Sequence, residues 1–214
     1  MTELINLAFK DAVIRNQVKE IKRLLSEGVN INSILNSDSD TALHYASYLL
    51  MPKLVDFLIE NKADLNVINE NEYTPLMNAC SSGGVKGSAI ALKLIEAGAD
   101  VTYIRQSDEK TALNCAVANF IGKSCSTEVI QALIDRGACV DGVPNAVQTP
   151  LMLAARTNNI QSIEILLQNG ANPSLPSGLP WAKGFTAEEL AAHEGMKKAF
   201  KYLSEYRQNG YKFV

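Results

Sequence analysis

The chain has 214 residues, 47% of them hydrophobic, and a formal charge of −3 at neutral pH. That mild negative balance works against generic nucleic-acid binding, which needs a basic surface to displace phosphate counterions. No stretch approaches the roughly 18 consecutive apolar residues of a membrane span, and Cys80, Cys115, Cys125 and Cys139 are dispersed with no Cys-x-x-Cys pair, a usage that suits a reducing compartment.

MTELINLAFKDAVIRN has no basic start followed by an apolar run, so a cytoplasmic protein is expected rather than one with a secretory signal. Export without a cleaved signal would leave the same sequence. Residues 3–32 read as two helices. Ala8, Phe9, Ala12 and Val13 give one apolar face, Ile21, Leu24 and Leu25 the next, and Gly28 is the stop. Lys10, Arg15, Lys19, Lys22 and Arg23 lie between them, and a solvated outer face is their simplest role in a terminal unit. The alternative is a docking patch for an acidic partner. Residues 33–40, SILNSDSD, form a turn through side-chain bonds to nearby backbone, with Asp38 and Asp40 near its tip.

The pattern restarts at Thr41. Tyr45, Tyr48 and Leu49 extend a first helix, Pro52 suits the start of a second, and Lys62 stands where a glycine stop is expected, at a cost of about 1 kcal/mol for φ > 0. In 74–110 the segment SSGGVKGS at 81–88 reads as a loose loop between helices. It lacks the preceding strand and following Lys-Ser/Thr of a phosphate-binding loop. In 111–148 a matching insertion, FIGKSCS at 120–126, is expected to carry Phe120 and Ile121 into the core. Cys80 and Cys115, early in first helices, read as buried structural thiols. A Cys125–Cys139 disulfide is not licensed by spacing.

The most regular stretch is 149–173. Thr149 is a good N-cap and Pro150 sits at the first helical position. Leu151, Ala154 and Ala155 mark one face, Asn158-Asn159 a turn, and Ile160, Ile163, Leu166 and Leu167 the second helix, which Gly170 ends and Pro173 prevents from continuing. The following loop, LPSGLPWAKGF, holds the only tryptophan, Trp181. It either folds back over the last repeat or anchors a partner. In 186–214, Thr186 with Glu189 is a capping box. Met196, Ala199, Phe200 and Leu203 face inward, Lys197, Lys198 and Lys201 outward, and Tyr206, Tyr211 and Phe213 are expected to pack in part.

The same text therefore recurs. TALHYAS, TPLMNAC, TALNCAV, TPLMLAA and a weaker TAEELAA begin at Thr41, Thr74, Thr111, Thr149 and Thr186, at steps of 33, 37, 38 and 37 residues. ENKADLN, EAGADVT, DRGACVD and QNGANPS close the units. A period near 33 with such starts and stops resembles the ankyrin repeat over nearly the whole chain. The resemblance implies an all-α solenoid of stacked helix–turn–helix units with protruding β-hairpin-like fingers. It places an N-terminal capping unit and first finger in 1–40, repeats in 41–73, 74–110, 111–148 and 149–185, and a C-terminal cap in 186–214, all one domain.

It also implies protein binding rather than catalysis, through a concave groove of fingers and first helices. Carried onto this chain, finger positions are Ser37, Asp38, Asp40, Glu70, Asn71, Tyr73, Ser107, Asp108, Lys110, Asn145, Ala146, Gln148, Trp181 and Lys183. First-helix positions are Tyr48, Leu49, Ser81, Ser82, Ala118, Asn119, Arg156 and Thr157. Of these, Asp38, Asp40, Tyr48, Leu49, Glu70, Tyr73, Asp108, Lys110, Arg156 and Trp181 are the expected partner contacts. Acidic fingers point to a partner with basic surface. His44 is expected to bond backbone of a neighbouring repeat, as in the family.

The expectation is thus a monomeric, non-catalytic adaptor or inhibitor without cofactor or metal. The alternatives are an exported bacterial effector that acts by binding, or an enzyme or small-ligand site. For the last, His44 and His193 lie in opposite end units and no metal spacing occurs.

Overall fold

The structure, a computed structural model, describes residues 2–118, 124–143 and 146–212. The described residues form twelve helices in six pairs and no strand. The pairs are α1 (Thr2–Ile14) with α2 (Val18–Ser26), α3 (Ala42–Tyr48) with α4 (Pro52–Glu60), and α5 (Pro75–Ser82) with α6 (Gly84–Glu96). They continue with α7 (Ala112–Val117) and α8 (Thr127–Asp135), α9 (Pro150–Arg156) and α10 (Ile160–Gln168), and α11 (Ala187–His193) and α12 (Lys197–Gln208).

Each repeat starts at its threonine. Thr74, Thr111, Thr149 and Thr186 accept the N–H of the residue three places on with their hydroxyls, satisfying a donor that the first helical turn leaves orphaned. That third residue is His44, Met77, Asn114, Met152 or Glu189. Four of the five reach back to the threonine N–H: His44 Nδ1 at 3.2 Å, Asn114 Oδ1 at 3.0 Å, Met152 Sδ at 3.5 Å and Glu189 Oε2 at 2.8 Å. Unlike side chains fill one slot because the slot asks only for an acceptor. The second helices stop at Gly28, Gly98, Gly137 and Gly170, all with φ between +85° and +100°, and at Lys62, with φ +62°.

The chain divides into two compact units, Met1–Asp100 and Val101–Val214. In the first, α3 packs against α1 and α5, and each pairs with its own second helix. In the second, α9 packs against α7 and α11 in the same way. Five positions after each threonine stands an alanine, Ala46, Ala79, Ala116, Ala154 or Ala191, each fully buried. A methyl group there lets neighbouring helices approach closely. Leu43, Leu76, Leu113 and Leu151 fill the space beside it at 0–1% exposure, each worth about 1.5–3 kcal/mol of apolar burial.

Two expectations are corrected. Residues 84–88 are not a loose loop but the first turns of α6. Gly83 and Gly84 take positive φ to turn the chain within one residue. A Cβ on Gly87 would lie 2.8 Å from the Ala79 carbonyl, so this glycine serves close packing of α6 on α5. Phe200 is 41% exposed rather than part of the inner face, which Ala199 and Leu203 form. Cys80 and Cys115 are buried as expected, and Cys125 and Cys139 are not in a disulfide. Phe120, Ile121, Asn119, Asn145 and Phe213 lie outside the described residues.

Candidate functional site

The fingers are hairpin-like loops held by a few backbone bonds without a strand ladder. Leu35 N–H bonds the Asp40 carbonyl at 2.8 Å, Asn69 N–H that of Tyr73 at 3.1 Å, Arg105 N–H that of Lys110 at 2.9 Å, and Ser177 N–H that of Phe185 at 2.8 Å. In the first unit, asparagine side chains do the rest. Asn36 Oδ1 accepts the N–H groups of Asp38 and Asp40, and Asn69 Oδ1 those of Asn71 and Tyr73. Their amide nitrogens converge on one carboxylate, Asp40, at 2.9 Å from Asn36 and 2.7 Å from Asn69. The tips are joined by Glu70 N–H to the Asp38 carbonyl at 2.8 Å and Ser39 Oγ to Glu70 Oε1 at 2.9 Å.

His44 locks the same region from below. The Thr41 N–H can only donate, so Nδ1 is the acceptor and Nε2 carries the proton, which it gives to the Tyr73 carbonyl of the next repeat at 3.0 Å. The ring is fully buried. Burial pushes its pKa below the ordinary value of 6.5, against the opposing pull of the Tyr73 carbonyl and the Asp40 charge.

The expected contacts thus divide. In the first unit Asp38 and Glu70 are exposed, while Asp40 and Tyr73 are half-buried and hold the fingers together. Tyr48 and Leu49 stand 63% and 45% exposed at the end of α3, and the Tyr48 carbonyl accepts Ser82 Oγ at 3.0 Å. In the second unit Asp108 bonds Lys110 at 2.8 Å and Arg105 at 3.4 Å. Burial acts to raise the Asp108 pKa, but its bond to Lys110 and the two cationic charges outweigh it and hold the carboxyl below its ordinary value. Arg156 bonds Glu194 at 2.7–2.8 Å and Gln148 Oε1 at 3.0 Å. Its guanidinium lies 5.6 Å from the Trp181 ring centre, within cation–π range. Trp181 folds back onto His193 at 5.2 Å and remains 49% exposed.

Sequence reasoning missed the Asn36/Asn69 pair and the Gln148–Arg156–Glu194 chain. The first has a signal: each asparagine precedes its repeat threonine by five residues. So has a related ladder, in which Asn32, Asn66 and Asp141 accept the backbone N–H of Asp64, Asp100 and Asn172 in the next repeat at 2.8–2.9 Å.

The repeat itself is shared with known proteins. A family model described as ankyrin repeats in three copies matches residues 9–104, 51–141 and 86–177. The B-cell lymphoma 3 protein homolog of Mus musculus is 27% identical over 165 residues, 75% of this chain and 36% of that protein. Transient receptor potential cation channel subfamily A member 1 of Homo sapiens is 28% identical over 177 residues, 80% of this chain and 15% of that protein. Ankyrin repeat protein nuc-2 of Neurospora crassa is 25% identical over 195 residues, 90% of this chain and 17% of that protein. The chain therefore spans about a third or less of the length of these curated relatives. Among solved structures, a chain of the complex between a predatory endopeptidase of Bdellovibrio bacteriovorus and an immunity protein aligns with a TM-score of 0.77 at 22% identity. The alignment covers 92% of this chain and 97% of that one, a likeness of fold.

Proposed function

The chain belongs to the ankyrin-repeat family, and from that premise we propose that it is a non-catalytic module, adaptor or inhibitor, that recognises a folded protein through its fingers and first-helix ends. One observation carries the reading. Tyr48 and Leu49 stand exposed directly after Ala46 and Ser47, which are fully buried. Large apolar side chains at the edge of a packed helix, set among polar loops, have the composition of a protein contact. The exposed face of Trp181 supplies the equivalent in the second unit. Asp38 and Glu70 beside the first patch favour a partner with basic surface. The solved neighbour pairs an endopeptidase with an immunity protein, and inhibition of an enzyme is one of the two forms of the proposal. The module acts as a single-domain monomer in the cytoplasm, which light scattering across concentrations and cell fractionation check. No helix of the described residues is long and apolar enough to cross a membrane.

Two observations weigh against a catalytic or metal site among the described residues. His44 is consumed by its cap and cross-repeat bonds, and the described residues hold no group of three His, Cys, Asp or Glu suited to a metal.

The test is affinity purification from the native cells of wild type, Tyr48→Ala/Leu49→Ala and Trp181→Ala, with partners identified by mass spectrometry. One protein retained by wild type and lost by a folded variant supports the proposal and says which unit binds. A partner retained equally by all three moves the interface off these faces.

A further inference from the structure

In the second unit a cavity of about 280 Å³ opens between the finger 105–110 and the start of the next repeat, walled by Glu109, Lys110, Asn114, Val147, Gln148 and Leu153. Two polar atoms of its wall residues are buried without a hydrogen-bond partner, Glu109 Oε2 and Gln148 Nε2. Such groups destabilise the structure while unmet. The amide orientation of Gln148 follows from its neighbours. Arg156 only donates, so the atom it holds at 3.0 Å is the oxygen, and Arg156 is itself held by Glu194. The unmet atom of Gln148 is therefore a donor, and that of Glu109 an acceptor.

We propose that this cavity receives one neutral carboxamide, an Asn or Gln side chain of the protein partner, whose NH₂ donates to Glu109 and whose carbonyl accepts from Gln148. The proposal rests on the protein-binding reading above and adds the chemistry of one anchor. The occupant has to donate and accept at once. A Lys or Arg side chain would satisfy Glu109 and set a cation against the Gln148 N–H, and a carboxylate would do the reverse. The remaining charges of the finger are already paired, Asp108 with Lys110 and Arg105, so the one unmet charge is that of Glu109, and the Gln148 N–H beside it favours a neutral guest over a cation. The cavity exceeds the ~30 Å³ share of a water molecule several-fold, and Val147 and Leu153 offer apolar wall to the methylenes of the guest. Terminal amide and carboxylate torsions are soft, and the proposal requires that the two side chains turn these buried atoms toward the guest as it enters.

The test uses the whole chain and N-acetylglutamine N-methylamide as probe, with N-acetylmethionine N-methylamide and N-acetyllysine N-methylamide beside it so that the glutamine probe alone carries a primary carboxamide, followed by NMR at the backbone amides of Lys110 and Val147. The expected result is a saturable shift with the glutamine probe alone. Gln148→Glu keeps the oxygen that Arg156 holds and removes the donor, and it weakens the probe at least tenfold while melting as wild type does. Glu109→Gln removes the charged acceptor and weakens it likewise. No saturable shift, as when the cavity takes ordered water only, overturns the proposal. So does an equal response to the methionine or lysine probe, or an unaltered response in both folded variants. A partner captured equally by wild type and both variants sinks this anchor and leaves the protein-binding reading standing. A probe that binds while no partner is ever captured does the opposite.

Discussion

The fingers of the first unit and the long loop of the last repeat occupy the same place in the repeat and are held by different physics. At 33–40 and 67–73 the loops are short and tied to each other, through Asn36, Asn69 and the shared Asp40 carboxylate. At 175–185 the loop is long and tied inward, to α11 through Trp181 on His193 and to α9 through Trp181 on Arg156. A short loop has few side chains and closes by local hydrogen bonds to backbone. A long one has room for an aromatic ring that buries part of its surface against the helix ends. The difference teaches which finger residues remain for a partner. A charge already spent on the loop, as in Asp40 or Arg156, costs the scaffold if it is withdrawn. Exposed Asp38, Tyr48 and Leu49 cost little, and Glu70 costs its exposed bond to Ser39.

The largest expected effect tests whether the two units differ in their loops alone. Leu76→Ala and Leu151→Ala, at 0% and 1% exposure, should each cost about 2–5 kcal/mol in urea denaturation. An unchanged midpoint for either denies its burial, and a large disparity would move the contrast into the cores.

Next comes the contrast itself. Asn69→Ala strips hydrogen bonds from two backbone N–H groups and from Asp40, and about 1–3 kcal/mol is expected. Trp181→Ala, half-exposed, should cost less than that. The reverse order by thermal melting would break the comparison.

Lys62→Gly should stabilise the first unit by about 1 kcal/mol, because it removes the strain of a side chain at φ +62°. An unaltered melting temperature would show the turn to be relaxed as it stands.

The smallest effects are pH windows, again one per unit at the same capping slot. The pKa of His44 is lowered in the folded state by burial. The unfolded chain then binds more protons, and stability is lost as pH falls below about 6.5 toward the folded value. The Glu189 pKa is lowered by the backbone and side-chain bonds of Thr186, so its contribution is present above the ordinary carboxylate value of 4.5 and is lost as pH falls through the folded one. His44→Asn, which copies the Asn114 cap, should erase the upper window and leave the lower one. Glu189→Gln should do the opposite. Urea midpoints from pH 8 to 3 decide it, and a His44→Asn protein that still weakens between pH 6.5 and 4.5 removes His44 as the cause.

The starts and stops of the helices were legible because they are local. A Thr cap, a Pro at the first position and a Gly past the end act within one turn, and their repetition every 33 to 38 residues announced the family before any contact was known. The core was legible for the same reason, in the spacing of Leu151, Ala154 and Ala155 from Thr149. Tertiary structure decided what depends on partners far along the chain. Gly87 reads as looseness until the Ala79 carbonyl is seen where its Cβ would be. Asp40 reads as a partner contact at a finger tip until Asn69, 29 residues on, is found to hold it. Gln148 carries no signal until Arg156 turns its amide. Helical periodicity is written in nearest neighbours. Which polar group is spent and which is left for a partner depends on packing between repeats, and that information no single repeat contains.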